Sequence, residues 1–116
     1  MITLPALQIT APTDFKIKLT SVRTDQGTPV DVTQTFIAFT FFVDGLKYDV
    51  VSDPLNNRFT NALIEDGYLY LIFENYPFKQ GRMSYVQHEQ YADAMYSDGL
   101  ADFYTKKTDS NIYFAR

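Results

Sequence analysis

Apolar residues recur at every second position in several stretches of the chain, and two stretches are apolar almost throughout. Phe15, Ile17 and Leu19 alternate with Lys16, Lys18 and Thr20, the period of a strand with one dry face. Phe36–Val43 and Tyr68–Phe73 are nearly continuous apolar or aromatic runs. Such a run reads as a strand buried on both faces, or as one with a dry face and an aromatic face. Tyr68 and Tyr70 share one side of the second run, opposite Leu69, Leu71 and Phe73. Asp44-Gly45 follows the first run and Asp66-Gly67 precedes the second. A two-residue type I′ loop needs positive φ at both positions, which Asp tolerates and Gly adopts freely, so each step predicts a hairpin. The hairpin ending in Tyr68–Phe73 is predicted to organise the fold, with that run as the central strand of a sheet.

The rest of the chain continues the pattern. Residues 46–51 alternate partly, and the turn residues of 52–57 predict a loop before 58–65. Residues 74–81 read as a long turn. In 82–91, Met83, Tyr85 and Gln87 share a face opposite Ser84, Val86 and His88, a strand pattern, although 86–95 also tolerates a helical turn. Asp98-Gly99 lies on a loop, 100–105 reads as a short strand, and 108–111 turns into a closing strand at 112–114. Residues 1–13, with Pro5 and Pro12 among Ile2, Leu4, Leu7 and Ile9, look like an extended arm and not a packed element: a frayed terminus, or a strand lent to a neighbour. The expectation is an arm over 1–13 and a single all-β domain over 14–116, with seven or eight short strands in an antiparallel sandwich or barrel.

Composition narrows the classes. The chain has 116 residues, 46% hydrophobic and 21% charged, enough for one globular domain. Eleven Asp against three Glu, with nine Tyr and ten Phe, favours strands and turns over helices. A net charge of −4, with Lys106-Lys107 the only adjacent basic pair, gives no electrostatic footprint for nucleic acid. The absence of Cys excludes disulfides, thiolate metal sites and Cys nucleophiles. No apolar run is long enough to span a bilayer as a helix, and the N-terminus lacks the basic and apolar regions of a signal peptide.

Candidate chemistry is sparse. His88 is the single histidine, beside Glu89 and upstream of Asp93 and Asp98. A metal site would want a second nitrogen or sulfur ligand, and no motif ties the hydroxyl of Ser84 to His88, so His88 reads as a surface or rim residue. Asp66 is explained by its turn, with Glu65 and Glu74 as solvated neighbours. Asp93, Asp98, Asp102 and Asp109 lack the dense spacing of a calcium loop. No catalytic, cofactor or metal residues are therefore expected. The tyrosines are the best sign of a binding surface, because Tyr offers apolar area with a polar tip. Two roles are open to them: a contact or sugar-stacking platform, or a cover for the second face of a sheet. Expected interface residues are Ile2, Leu4 and Leu7 of the arm, together with Tyr68, Tyr70, Tyr76, Tyr91 and Tyr96.

One segment carries a resemblance. Asn61-Ala62-Leu63-Ile64-Glu65-Asp66-Gly67-Tyr68-Leu69-Tyr70-Leu71-Ile72-Phe73-Glu74-Asn75 resembles the N-x-x-I-E-D-G-x-L-x-V-x-F-D-N stretch of small virion proteins from phages and prophages of Bacteroidales, including crAss-like phages. Lys79-Gln80-Gly81-Arg82-Met83, residues 95–103 and residues 108–114 resemble later parts of the same pattern. Asp14-Phe15-Lys16-Ile17 and Pro29-Val30-Asp31-Val32 resemble the opening of the N-terminal domain of phage baseplate upper proteins. Ser97 departs from a frequent Pro, and Ser110-Asn111 from a Gly. The resemblance spans about residues 14–116. It implies an Ig-like β-sandwich, non-enzymatic and located in a virion, that anchors or adapts head fibres or tail and baseplate fibres. Its partners would be capsid, fibre or baseplate subunits and further copies of itself, with neither nucleic acid nor membrane bound. The chain ends where that domain ends, which implies that no fibre part is attached. The alternative is a carbohydrate-binding module using exposed Tyr76, Tyr91 and Tyr96.

Overall fold

A computed structural model describes residues 2–10, 14–74 and 80–115. Ten strands run in chain order: β1 Leu7–Thr10, β2 Phe15–Leu19, β3 Phe36–Val43, β4 Leu46–Asp53, β5 Arg58–Thr60, β6 Ala62–Glu65, β7 Tyr68–Phe73, β8 Gly81–Ala92, β9 Leu100–Tyr104 and β10 Thr108–Ala115. Single 3₁₀ turns occupy Val32–Gln34 and Pro54–Asn56. The larger sheet has the order β1-β10-β8-β3-β4-β5, with β9 also on β8, and the smaller has the order β2-β7-β6. The fold is all-β, with more strands than the seven or eight expected. The larger sheet is mixed and not purely antiparallel, because β1 pairs parallel with β10.

Both Asp-Gly hairpins form. Asp44 and Gly45 take φ of 50° and 79°, and Asp66 and Gly67 take 52° and 80°, the left-handed pair that a type I′ loop requires. Strand β7 is central in its sheet. Leu69, Leu71 and Phe73 are wholly buried while Tyr68 is exposed, so of the two readings of this run the dry face with an aromatic face is the observed one. Ile37, Phe39, Phe41 and Val43 of β3 point into the same core from the larger sheet. The rings of Phe41 and Phe73 meet across it at 5.2 Å between centroids, and Tyr48 stacks on Phe73 at 5.1 Å.

Two polar residues tie the sheets together. Strands β5 and β6 are one extended segment that leaves the larger sheet and joins the smaller at Asn61, which has φ of 51°. The Asn61 side chain donates to the carbonyl of Asp49 in β4, and its own carbonyl accepts from the amide of Ile72 in β7, each at 2.8 Å. Tyr48 Oη donates to the Ile72 carbonyl at 2.7 Å and accepts from the Glu74 amide.

Two local readings change, those of 108–111 and of the N-terminal segment. The segment 108–111 is not a turn but the start of β10, with a register shift between Asp109 and Tyr113. Ser110 Oγ donates to the Met83 carbonyl and accepts from the Ile112 amide, so its hydroxyl supplies the bonds that the bulge removes from the ladder. Residues 82–91 lie wholly within β8, with no helical turn. The expectation of a long turn over 74–81 falls mostly on 75–79, outside the described residues. The N-terminal segment is extended, but its apolar side chains are not free. Ile2 bridges to Val22, Leu7 pairs with Ile112, and Ile2, Leu4, Leu7 and Ile9 all pack against the core.

Two outcomes follow from this packing. Deleting residues 1–10 uncovers Ile112, Phe114 and the edge of β10, and should lower unfolding free energy on the order of 3 kcal/mol; an unchanged urea midpoint would show that the segment contributes no packing. Burial, with the carboxylates of Glu74 and Asp14, pushes the Tyr48 phenol above its usual 10.0 against the opposing Glu74 amide. Between about pH 10 and the raised value the folded state keeps a proton that the unfolded chain has released. The contribution is thus full below about pH 10 and lost as pH rises through that window. Tyr48→Phe should cost about 1–2 kcal/mol at neutral pH, and its stability should fall less steeply in alkali, both read from denaturant curves.

Candidate functional site

The outer face of the larger sheet carries two cross-strand rows where β3, β8 and β9 lie side by side. Phe36, Gln90 and Asp102 are paired in one row, and Ala38, His88 and Tyr104 in the next. Alternation makes this grouping: the even-numbered residues of β3, β8 and β9 point away from the core that their odd neighbours fill. His88 and Tyr104 stack with centroids 4.1 Å apart and planes within 10°, and the Phe36 ring meets His88 edge-on at 5.0 Å. Tyr104 is 71% exposed at the end of this stack.

Asp102 organises the polar side. His88 Nε2 lies 2.9 Å from Asp102 Oδ1, and Gln90 Nε2 donates to the same oxygen at 3.1 Å. A carboxylate oxygen only accepts, so the imidazole proton sits on Nε2 and a neutral ring keeps Nδ1 as an acceptor. Sequence reasoning set His88 beside Glu89, but Glu89 points the other way. It is fully buried, and its Oε2 accepts from Gln87 at 3.1 Å. The true partner of His88 is Asp102, fourteen residues on, brought over by the β8–β9 hairpin.

A cleft of about 370 Å³ opens beside these rows. Its walls come from three connections: Gln34 of the β2–β3 segment, Leu55 and Asn56 of the β4–β5 turn, and Leu100 after the β8–β9 loop. Asp31 caps the turn that presents Gln34, accepting from the Thr33 amide and hydroxyl at 3.0 and 2.6 Å; these bonds hold its carboxyl below the usual range. Asp53 fixes the opposite wall. Both of its oxygens accept from Asn56 Nδ2, at 3.2 and 3.0 Å, and Arg58 lies 3.4 Å away.

The expected interface residues do not come together. Ile2, Leu4 and Leu7 pack on their own core. Tyr68 and Tyr70 lie on the outer face of the smaller sheet, where Lys18 and Lys16 sit 4.0 and 5.8 Å from their ring centroids. Tyr91 is only 7% exposed. It donates to Asp25 Oδ1 and accepts from the Asp25 amide, and burial pushes its phenol up, the amide opposing and the nearby acids adding to the rise. Tyr96 is exposed on the β8–β9 loop, and Tyr76 lies outside the described residues. Tyr91 could have been placed from sequence, because the alternation of Met83, Tyr85 and Gln87 carries it to the core face. Tyr104 belongs to the tyrosine set and follows the same rule to the outer face, but it is not among the expected interface residues.

Among the described residues, no group of three or more His, Asp or Glu is arranged to hold a metal ion, and no helix is long and apolar enough to cross a membrane. The His88–Tyr104 stack should be measurable: a double-mutant cycle with His88→Ala and Tyr104→Ala is expected to give a favourable coupling of about 0.5–1.5 kcal/mol. Additivity within error would mean that the rings do not support each other. No protein-family model and no curated protein matches this chain.

Proposed function

We propose that this chain is a non-enzymatic structural protein of a phage virion, an adaptor or anchor for head fibres or for tail and baseplate fibres, on an Ig-like β-sandwich. The strand order supports the scaffold. In a variable-type Ig domain the sheets run G-F-C-C′-C″ and B-E-D. Here β10-β8-β3-β4-β5 and β2-β7-β6 follow that order, with β9, which lies between β8 and β10 in the chain, added on β8. The chain has neither the Cys pair nor the Trp of antibody domains, and packed aromatic rings occupy the space between the sheets instead.

The observation that carries the assembly reading is the β5–β6 edge. It is one extended segment, crosses from sheet to sheet at Asn61, and among the described residues has no strand beyond it on either sheet. Phe59 is 39% and Leu63 49% exposed along it, and Leu55 stands exposed at its start. An open edge with unpaired backbone groups and apolar side chains is a template for another chain, which isolated domains normally blunt. Capsid, fibre or baseplate subunits, or a further copy of this chain, would cover it. The virion is the corresponding location.

Mass spectrometry of purified particles should find the chain in stoichiometric amount; its absence from intact particles would reject the reading. Leu63→Lys and Phe59→Lys put charge on the edge without entering the core. They are expected to leave the thermal midpoint within a few degrees and to reduce incorporation about tenfold or more, while normal incorporation of both would remove the edge from the interface.

A further inference from the structure

We infer that the cleft beside Phe36 and His88 is a binding site for a neutral oligosaccharide, distinct from the assembly edge. The first argument is position. The cleft lies where the β2–β3, β4–β5 and β8–β9 connections converge on one end of the larger sheet, so a rigid strand floor is walled by three separate segments. At about 370 Å³ it falls in the size range of ligand pockets, roughly 300–1,000 Å³.

The second argument is chemistry. Among the described residues that line it there is no Lys or Arg, which disfavours phosphate or carboxylate ligands. The one acid on its wall, Asp53, is already engaged through both oxygens by Asn56 and lies 3.4 Å from Arg58. What faces the space is a set of planar polar groups with spare capacity. Asn56 spends its amide nitrogen on Asp53 and keeps its carbonyl oxygen as an acceptor. Gln90 donates one proton to Asp102 and keeps a second proton and an oxygen. His88 keeps Nδ1. Paired donors and acceptors beside an aromatic floor suit vicinal hydroxyls above the C–H face of a sugar ring, and Phe36 provides that floor.

The third argument concerns length. A second groove of about 250 Å³ lies on the far side of His88, floored by the short side chains of Ala38, Thr40 and Val86. His88 lines both spaces and Tyr104 lines the second. The His88–Tyr104 stack is therefore a ridge between two sugar-sized spaces, with its exposed ring at the crest. A chain of sugars can place successive rings on either side, whereas a single ring can use only one.

The test is an NMR titration of the full chain with maltotriose, cellotriose, mannotriose and chitotriose, each against its own monosaccharide. Glucose 6-phosphate and a Thr-Val peptide serve as the anionic and strand-like controls. At least one trisaccharide is expected to give saturable shifts on both flanks of the ridge, at Phe36 and Gln90 and at Ala38 and Val86, and to bind about tenfold tighter than its monosaccharide. Tyr104→Ala, at an exposed position, and Gln90→Ala, on the outer face, should each weaken binding about tenfold with the remaining spectrum preserved. No saturable shift with any neutral sugar overturns the proposal, as does a response confined to the Tyr68–Tyr70 face. Tighter binding of the phosphate or the peptide at the same residues, or undiminished binding by both variants, overturns it equally.

Discussion

Everything in this fold depends on the rings gathered around Phe73. It is the last residue of β7, wholly buried, stacked on Phe15 at 4.6 Å and on Tyr48 at 5.1 Å, and in contact with Phe41 at 5.2 Å. Phe15 and Phe73 belong to the smaller sheet, Tyr48 and Phe41 to the larger. A chain without cysteine has no covalent closure, so the two sheets are joined by how well these rings fill the space between them. Aromatic pairs at these separations add about 0.5–1.5 kcal/mol each beyond the area they bury. A one-residue slip of β7 would turn Leu69, Leu71 and Phe73 to the outside together, so the same contacts that hold the sheets also set their register.

Register, once set, fixes the polar ties and then the outer surface. Tyr48 can reach the Ile72 carbonyl because its ring lies on Phe73. Asn61 can bond Asp49 in one sheet and Ile72 in the other only if the sheets stand at that separation. Its left-handed backbone lets one segment serve both sheets, a conformation Asn tolerates better than most residues. Strand β8 extends the argument outward. It is twelve residues long, and along one side it gives its first half to β10 and its second half to β9. Its odd residues fill the core and its even residues carry Gln90 and His88. The cleft therefore inherits its geometry from core packing.

This division also explains what could be read from the sequence. Strands β3 and β7, and the two Asp-Gly hairpins, were legible because their signals are local: a run of apolar residues, or two adjacent residues that must adopt positive φ. The parallel pairing of β1 with β10 was hidden because its two strands stand at opposite ends of the chain, and Leu7 meets Ile112 and Ile9 meets Phe114 only once both ends are brought together. The bulge at Ser110 was misread as a turn because its residues are turn formers, and their hydroxyl and amide groups serve a bulge equally well. Neither Gln34 nor Asn56 carries a periodic or motif signal. They become neighbours of the His88 row only through tertiary convergence, which no local pattern encodes.

Asp53 is where the two outer surfaces meet. It is the last residue of β4 and is nearly buried. On one side its oxygens hold Asn56, which walls the cleft; on the other lies Arg58, the first residue of the β5 edge. A carboxylate removed from water needs charge or hydrogen bonds around it, and here both come from the turn and the strand it connects. The turn and the edge thus share one carboxylate. A partner seated on β5 would therefore steady the Pro54–Asn56 turn, placing the cleft at the rim of the contact. The edge and the cleft are thus chemically distinct surfaces that share one buried acid.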